Sequence, residues 1–268
     1  MRRRPDGWTP KVVALDVDGT LLDWVDGYEV MSTAVIESVR VALAAGACVV
    51  LSIGRSVPGV LAATDLLGLD GGLMVASNGA VVFDYPPFEL VHTVTFDARQ
   101  AVRELLEHVP DAAVAVEEIG VGYRINKAFP AGEIQGELKL ESVDQLVAEP
   151  VTRVIIRSPD ASAEEFAELA ERIGLQGTNY YVGYTAWLDL APMGVSKASG
   201  LQVVAERLGF DADDVLAIGD GNNDVEMLAW AGRGVAMGQA ELNVQEAADD
   251  VTETVERDGV ALELARWF

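Results

Sequence analysis

Short apolar, β-branched runs alternate with stretches of helical periodicity from early in this chain. VVALDVD (12–18), CVVLSIG (48–54) and GLMVASNG (72–79) read as buried strands. Between the first two, Val35, Val39 and Leu43 recur at helical spacing, and Gly46 ends the run. The stretch SVPGVLAATDLLGL repeats that pattern more briefly between the second and third. The alternation predicts a parallel sheet with crossover helices.

From about Val82 to Trp187 the pattern changes. It reads as a strand, a helix over 97–109, two short strands around VAVEEIGVGYRI, a strand at TRVIIRS, a helix over 162–174 and strands around NYYVGYTAWLDL. Paired strands without crossovers predict a separate α+β unit with an antiparallel sheet. Afterwards GVSKASGLQVVAERLG, DVLAIGD, NDVEMLAWAG and RGVAMG resume the βα rhythm. The expected fold class is therefore α/β: a doubly wound parallel-sheet core over 1–82 and 188–268, with an α+β cap inserted at 83–187.

Composition narrows the possible partners. With 268 residues, half of them apolar, the chain can bury a large core. A net charge of −24 argues against nucleic acid and anionic membrane as partners, because both demand neutralising cations. No run has the length of a membrane span, and the single Cys48 has no partner within the chain and reads as a small core residue. MRRRPDGW begins like a signal but meets Pro5, Asp6 and Gly7 instead of an apolar segment, so it reads as a frayed terminus. A cytoplasmic protein, monomeric or weakly dimeric, is expected.

The acids raise the chemical question. Asp16 and Asp18 lie two apart at the end of an apolar strand, which points them to one side of an extended backbone. GDGNND places Asp220 and Asp224 after the late strand DVLAI. Ligands of open α/β sheets bind beyond the carboxyl ends of the strands, so two strand ends aim at least four carboxylates at one region. Like charges ~4 Å apart repel by on the order of 4 kcal/mol at an effective dielectric near 20. A hard divalent cation relieves that repulsion, and an all-oxygen set without His or Cys suits Mg²⁺. Mg²⁺ commonly pairs a few carboxylates with a phosphate, which points to phosphoryl chemistry.

DVDGTLLD, GVSKASGL and GDGNND, in that order, resemble the motifs of the haloacid dehalogenase (HAD) superfamily. The place of the insertion resembles its Cof-type hydrolases with a class IIB cap, and the likeness covers essentially the whole chain. The resemblance implies a Mg²⁺-dependent phosphomonoesterase acting on a small phosphorylated metabolite, a sugar phosphate or cofactor phosphate, through an aspartyl-phosphate. It implies Asp16 as nucleophile and Asp18 as general acid, then base. Mg²⁺ would be held by Asp16, the Asp18 backbone carbonyl and Asp220, with Asp224 supporting the metal shell. Lys197 would bridge Asp16 and a phosphoryl oxygen, and Asn223 would contact phosphate or hold Lys197. A phosphohexomutase of the same superfamily and a non-catalytic phosphometabolite-binding protein are the alternatives.

One position departs from the family pattern. LSIGRS has Ile53 where the family has Thr or Ser before the Gly. Ser52, one residue earlier, faces the other side of a regular strand. Phosphate binding is then expected either from Ser52, turned inward by a bulge, or from the backbone N–H groups of Ile53 and Gly54, with Arg55 reaching substrate or bracing the cap loop.

The remaining candidates read as ordinary structure. Asp23 and Asp26 are expected to cap the following helix, and Asp211, Asp213 and Asp214 to form a solvated turn. Asn78 and Gly79 fit a tight hairpin turn near the site. His92 and His108 lack ligand spacing and read as surface residues. Tyr180, Tyr181, Tyr184 and Trp187 read as packing. GYRINKAF, with Tyr123, Arg124 and Lys127, reads as an exposed hairpin, with contact to a phosphorylated sugar as the alternative.

Overall fold

Residues 7–25, 28–130, 132–158, 162, 164, 165, 168, 169, 178–182 and 187–268 are described by a computed structural model of the chain. The first strand, β1 (Val12–Leu15), is fully apolar and buried throughout. A short hairpin follows, β2 (Asp23–Val25) with β3 (Tyr28–Val30), and then α1 (Thr33–Ala44), β4 (Cys48–Leu51), α2 (Val57–Leu67) and β5 (Gly72–Ala76). The strands β6 (Val81–Tyr85) and β7 (Glu89–Thr93) extend β5 into an antiparallel three-stranded sheet.

The chain then forms α3 (Arg99–His108), β8 (Ala113–Glu118), β9 (Gly122–Ile125), β10 (Glu137–Leu140), α4 (Val143–Leu146), β11 (Val154–Arg157), β12 (Thr178–Val182) and β13 (Trp187–Pro192). It closes with α5 (Lys197–Leu208), β14 (Val215–Gly219), α6 (Val225–Trp230), β15 (Arg233–Ala236), α7 (Leu242–Ala247), β16 (Asp250–Val251) and α8 (Gly259–Leu264).

These elements divide into two compact units, one of Met1–Gly54, Val60–Val91 and Ser196–Phe268, the other of Arg55–Gly59 and His92–Val195. Among the described residues, the first unit contains a parallel sheet in the order β16-β15-β14-β1-β4. A parallel bridge between Ser52 and Val75 joins β5 beside β4. The chain thus walks outward from β1 to β4 and β5, then returns through β14 to the opposite side. The reversal lies between β1 and β14, the place where open α/β sheets bind ligands.

The helical faces follow the sequence with one change. Val35 and Val39 of α1 are buried as the spacing predicts, but the next buried position is Ala42, while Leu43 is exposed. At 100° per residue the stripe passes through Ala42, and Leu43 falls beyond its edge. Asp23 does not cap α1 as expected. The N-cap of α1 is Ser32, whose hydroxyl accepts from Val35 N–H, Asp23 lies in β2 and accepts from the Trp24 N–H, and Asp26 lies outside the described residues.

In the second unit the sheet order is β10-β9-β8-β11-β13-β12, antiparallel except for the parallel β9–β10 pair. Its ends fall later in the chain than 83 and 187, because β6 and β7 continue the β5 sheet and β13 pairs with β11 and β12. Val102, Leu105 and Leu146 from α3 and α4 pack on Val114, Val116, Val154, Ile156, Leu188 and Leu190. The expected helix at 162–174 lies largely outside the described residues, as do Tyr184 and the terminal residues 1–6.

Tyr123 and Arg124 lie in the β8–β9 hairpin as read, but Tyr123 is buried and Arg124 partly so, while Lys127 is exposed. The Tyr123 hydroxyl accepts from Arg153 Nη1 at 2.9 Å, and Arg153 forms a two-pronged pair with Asp189 at 2.6 and 2.8 Å. Burial pushes the Tyr123 phenol up to about 12. Arg124 reaches Glu141 and the Gln145 and Leu146 carbonyls, and Lys127 reaches the Asp111 carbonyl. Trp187 packs edge-on against Phe129, as a core aromatic does.

Candidate active site

The end of β1 delivers Asp16 into the reversal point, held there by its N–H to Ile218 O at 3.0 Å. The end of β14 delivers Asp220, and a single 3₁₀ turn over Asn222–Asp224 swings Asp224 back toward it. The side-chain oxygens of Asp16, Asp220 and Asp224 lie within 4.8 Å of one another, and all three residues are buried. Three charges at that spacing repel by about 3–4 kcal/mol per pair at an effective dielectric near 20.

One ammonium answers them from within the protein. Lys197 is the first residue of α5 and is fully buried; its Nζ donates to Asp16 Oδ1 at 2.5 Å and to Asp224 Oδ1 at 2.7 Å. The other oxygen of Asp224 accepts from the N–H groups of Asp220 and Gly221 at 3.0 and 2.9 Å. Both oxygens of Asp224 therefore face protein donors, which makes it a brace for Lys197 and for the Asp220 loop. Asp220 Oδ1 accepts from Thr20 Oγ1 at 3.2 Å.

A single positive charge leaves the trio in excess. Burial, and then repulsion from Asp224, push the Asp16 carboxyl well above the ordinary range despite Lys197. For Lys197, burial opposes the charge, but Asp16 and Asp224 more than offset it and the ammonium is held charged.

The residues fit a hard divalent cation. The donors are carboxylates alone, with no His or Cys in the cluster. The backbone leaves them room: a Cβ on Gly19, which sits at φ +79°, would lie 2.2 Å from Asp220 Oδ2, and one on Gly219 would lie 2.4 Å from Asp224 Cγ. Only glycine admits the carboxylates so close to both chain segments.

The other expected residues separate into groups. Asp18 is exposed and its carboxylate is not part of the buried trio. Gly54 lies beside a pair of amides, Asn223 Nδ2 donating to Asn78 Oδ1 at 2.9 Å, and a Cβ on Gly54 would sit 3.1 Å from Asn78 and 3.3 Å from Asn223. Arg55 is half buried, belongs to the second unit, and lays its stem over Gly59.

The stretch around Ile53 corrects the expectation. No bulge turns Ser52 inward: it continues the strand, with its N–H on Leu15 O and a bridge to Val75. Among the described residues its buried hydroxyl has no hydrogen-bond partner. The Ile53 N–H is already engaged by Val75 O at 3.0 Å, and its side chain is fully buried. Among the described residues the Gly54 N–H has no acceptor, so of the two backbone groups expected to meet phosphate, Gly54 alone is available.

Asn78 is the residue that sequence reading assigned to a turn. It is 2% exposed at φ +53°, its N–H bonds to Ile53 O at 3.1 Å, and its side chain fixes Asn223. The signal was present in its place at the end of β5, but the partner lies 145 residues away in sequence.

The family model of haloacid dehalogenase-like hydrolases matches residues 13–264. Among relatives, the 5-amino-6-(5-phospho-D-ribitylamino)uracil phosphatase of Bacillus subtilis is 30% identical over 262 residues, covering 96% of this chain and 95% of its own. A chloroplastic endoribonuclease of Arabidopsis thaliana is 30% identical over 289 residues, 99% of this chain, and the chain spans only 49% of that relative's length. A phosphatase of the HAD enzyme superfamily from Bacteroides thetaiotaomicron has a similar structure, with a TM-score of 0.77 at 29% identity over 99% of this chain and 98% of its own. A subclass IIB sugar phosphatase shares the fold, with a TM-score of 0.79 at 22% identity over 96% and 98%.

Proposed function

Because the chain belongs to the haloacid dehalogenase-like hydrolases, we propose that it is a Mg²⁺-dependent phosphomonoesterase acting on a small phosphorylated metabolite. The observation that carries this reading is the buried trio of Asp16, Asp220 and Asp224 with Lys197 bonded to two of its members. The phosphatases among its relatives support the reaction class.

Asp16 attacks phosphorus, and the bond to the leaving oxygen breaks as Asp18 gives that oxygen a proton. Asp18 then takes a proton from water, whose oxygen attacks the aspartyl-phosphate. Inorganic phosphate leaves and the Asp16 carboxylate is restored. Lys197 orients Asp16 and balances the charge gathering on the phosphoryl oxygens. Asp16, Asp220 and the Asp18 backbone carbonyl would hold Mg²⁺, which when bound supplies positive charge to the phosphoryl group. Asp224 holds Lys197 and the Asp220 loop in place. The Gly54 N–H and the Asn223 amide braced by Asn78 are assigned to the phosphate oxygens. Substrate selection is assigned to the second unit, as the cap of this protein.

The test is phosphate release from an aryl phosphate and a panel of sugar phosphates, with and without Mg²⁺. Metal-dependent release is expected, reduced by about 10³-fold or more in Asp16→Asn. Isomerised sugar phosphate in place of free phosphate would instead identify a mutase, and release unaffected by Asp16→Asn would remove Asp16 as nucleophile.

A further inference from the structure

The turn that carries Asp18 is closed on one side by its own backbone, with the Gly19 N–H on Leu22 O at 2.9 Å. On the other side it is held from a distant part of the chain. The Gly19 carbonyl accepts from Gln239 Nε2 at 2.5 Å, and Gln239 Oε1 accepts from the Val255 N–H at 3.1 Å. A primary amide is the neutral side chain that donates at one atom and accepts at its neighbour, and this one uses both.

Gln239 is itself mounted on a fixed turn. Just before it, Met237 N–H bonds to Gly219 O at 2.9 Å, at the end of β14, and Gly238 N–H bonds to Glu253 O at 3.1 Å. Just after it, Gln245 Nε2 bonds to Ala240 O at 2.9 Å. The amide therefore joins the Asp18 turn to the backbone that also ends the strand carrying Asp220. Asp18 is exposed, and the turn next to it, which Gln239 holds at Gly19, sets the backbone from which its carboxylate extends.

We propose that Gln239 is a positioning residue for proton delivery: by holding the Gly19 carbonyl against the 237–255 segment, it fixes the turn from which Asp18 reaches the leaving oxygen. This rests on the phosphatase reading above, in which Asp18 is the acid. A loss that acts through proton donation weighs on substrates whose leaving oxygen needs the proton and spares those whose leaving group departs as a stable anion. A general loosening of the site lowers both alike.

The experiment compares kcat and KM for p-nitrophenyl phosphate and for sugar phosphates in the wild type, Gln239→Met, Gln239→Glu and Asp18→Asn, with unfolding midpoints measured alongside. Gln239→Glu keeps an acceptor for Val255 but loses the donor to Gly19. Both Gln239 variants are expected to lower kcat/KM on sugar phosphates about fivefold. For the aryl ester, kcat/KM, which reports formation of the aspartyl-phosphate and not its hydrolysis, where Asp18 serves as base for every substrate, should stay within about twofold, with the midpoint unchanged and the same bias in kcat/KM as in Asp18→Asn. Equal losses on both substrate types, losses that follow a fall in midpoint, or no loss at all would overturn the proposal while leaving an active phosphatase. A wild type that releases no phosphate from either type would overturn the phosphatase reading and this inference with it.

Discussion

Lys197 carries the charge balance of the site at the scale of a single residue. Its ammonium is fully buried between Asp16 and Asp224, so replacing it removes a partner from two buried acids at once. Breaking a buried pair in this way costs about 3–5 kcal/mol. Lys197→Met is expected to lose stability of that order in urea unfolding with a chelator present, and to lower phosphate release by at least about 10²-fold. A variant as stable as the wild type would show that the acids do not depend on the ammonium. At this scale residue identity was legible where it implied chemistry: of the acids read from their spacing, Asp16, Asp220 and Asp224 meet in space, and Lys197, given by the family resemblance, is bonded to two of them. It was silent where a side chain's use depends on a remote partner. Asn78 serves as the brace of Asn223, and the Ile53 N–H is taken up by Val75, a pairing that local pattern does not reveal.

The element that sets Lys197 in place is the first turn of α5. Ser196 is its N-cap: its hydroxyl faces the Ser199 N–H and its own N–H bonds to Ser199 Oγ at 3.0 Å, which satisfies groups that the helix leaves open. The turn between β5 and β6 presses against this start, since a Cβ on Gly79 would lie 2.0 Å from Ser196 O. Ser196→Ala is expected to cost about 1 kcal/mol in urea unfolding and to lower kcat more than it raises KM, because the frayed turn carries the ammonium. Unchanged kcat with reduced stability would separate the cap from the catalytic geometry. Strands and helices with clear periodicity were legible as elements, including β1, β4, β5, α1, α3 and α5. What periodicity left open was pairing: β6 and β7 extend β5, β9 and β10 run parallel, and β13 lies between β11 and β12. Side-chain period reports burial of a face and not which strand lies alongside.

For the whole molecule, the acidic trio makes stability and metal binding one property. A cation that binds the folded site and not the unfolded chain stabilises by about 2.7 kcal/mol at a hundredfold excess over its Kd. Mg²⁺ is therefore expected to raise the unfolding midpoint of the wild type, reversibly with chelator, and to have little effect on Asp220→Asn. A wild-type midpoint indifferent to Mg²⁺ would remove the metal from the site. Among the described residues no helix is long and apolar enough to cross a membrane, and the charge of −24 makes a concentrated cation at one buried point the more necessary for an anionic substrate. The sequence alone determined the alternation that builds a parallel sheet, the presence of an inserted α+β unit, and the acids that follow strands of the parallel sheet, because burial and chemistry at those positions are local in origin. Only the tertiary structure decided which acids share a centre, that Asp18 stands outside it, that Gly54 rather than Ile53 has a backbone N–H to offer, and that Gln239 and Asn78 hold the site's turns. Those facts are set by hydrogen bonds between segments far apart in the chain, whose partners are fixed by strand order and register rather than by neighbouring residues.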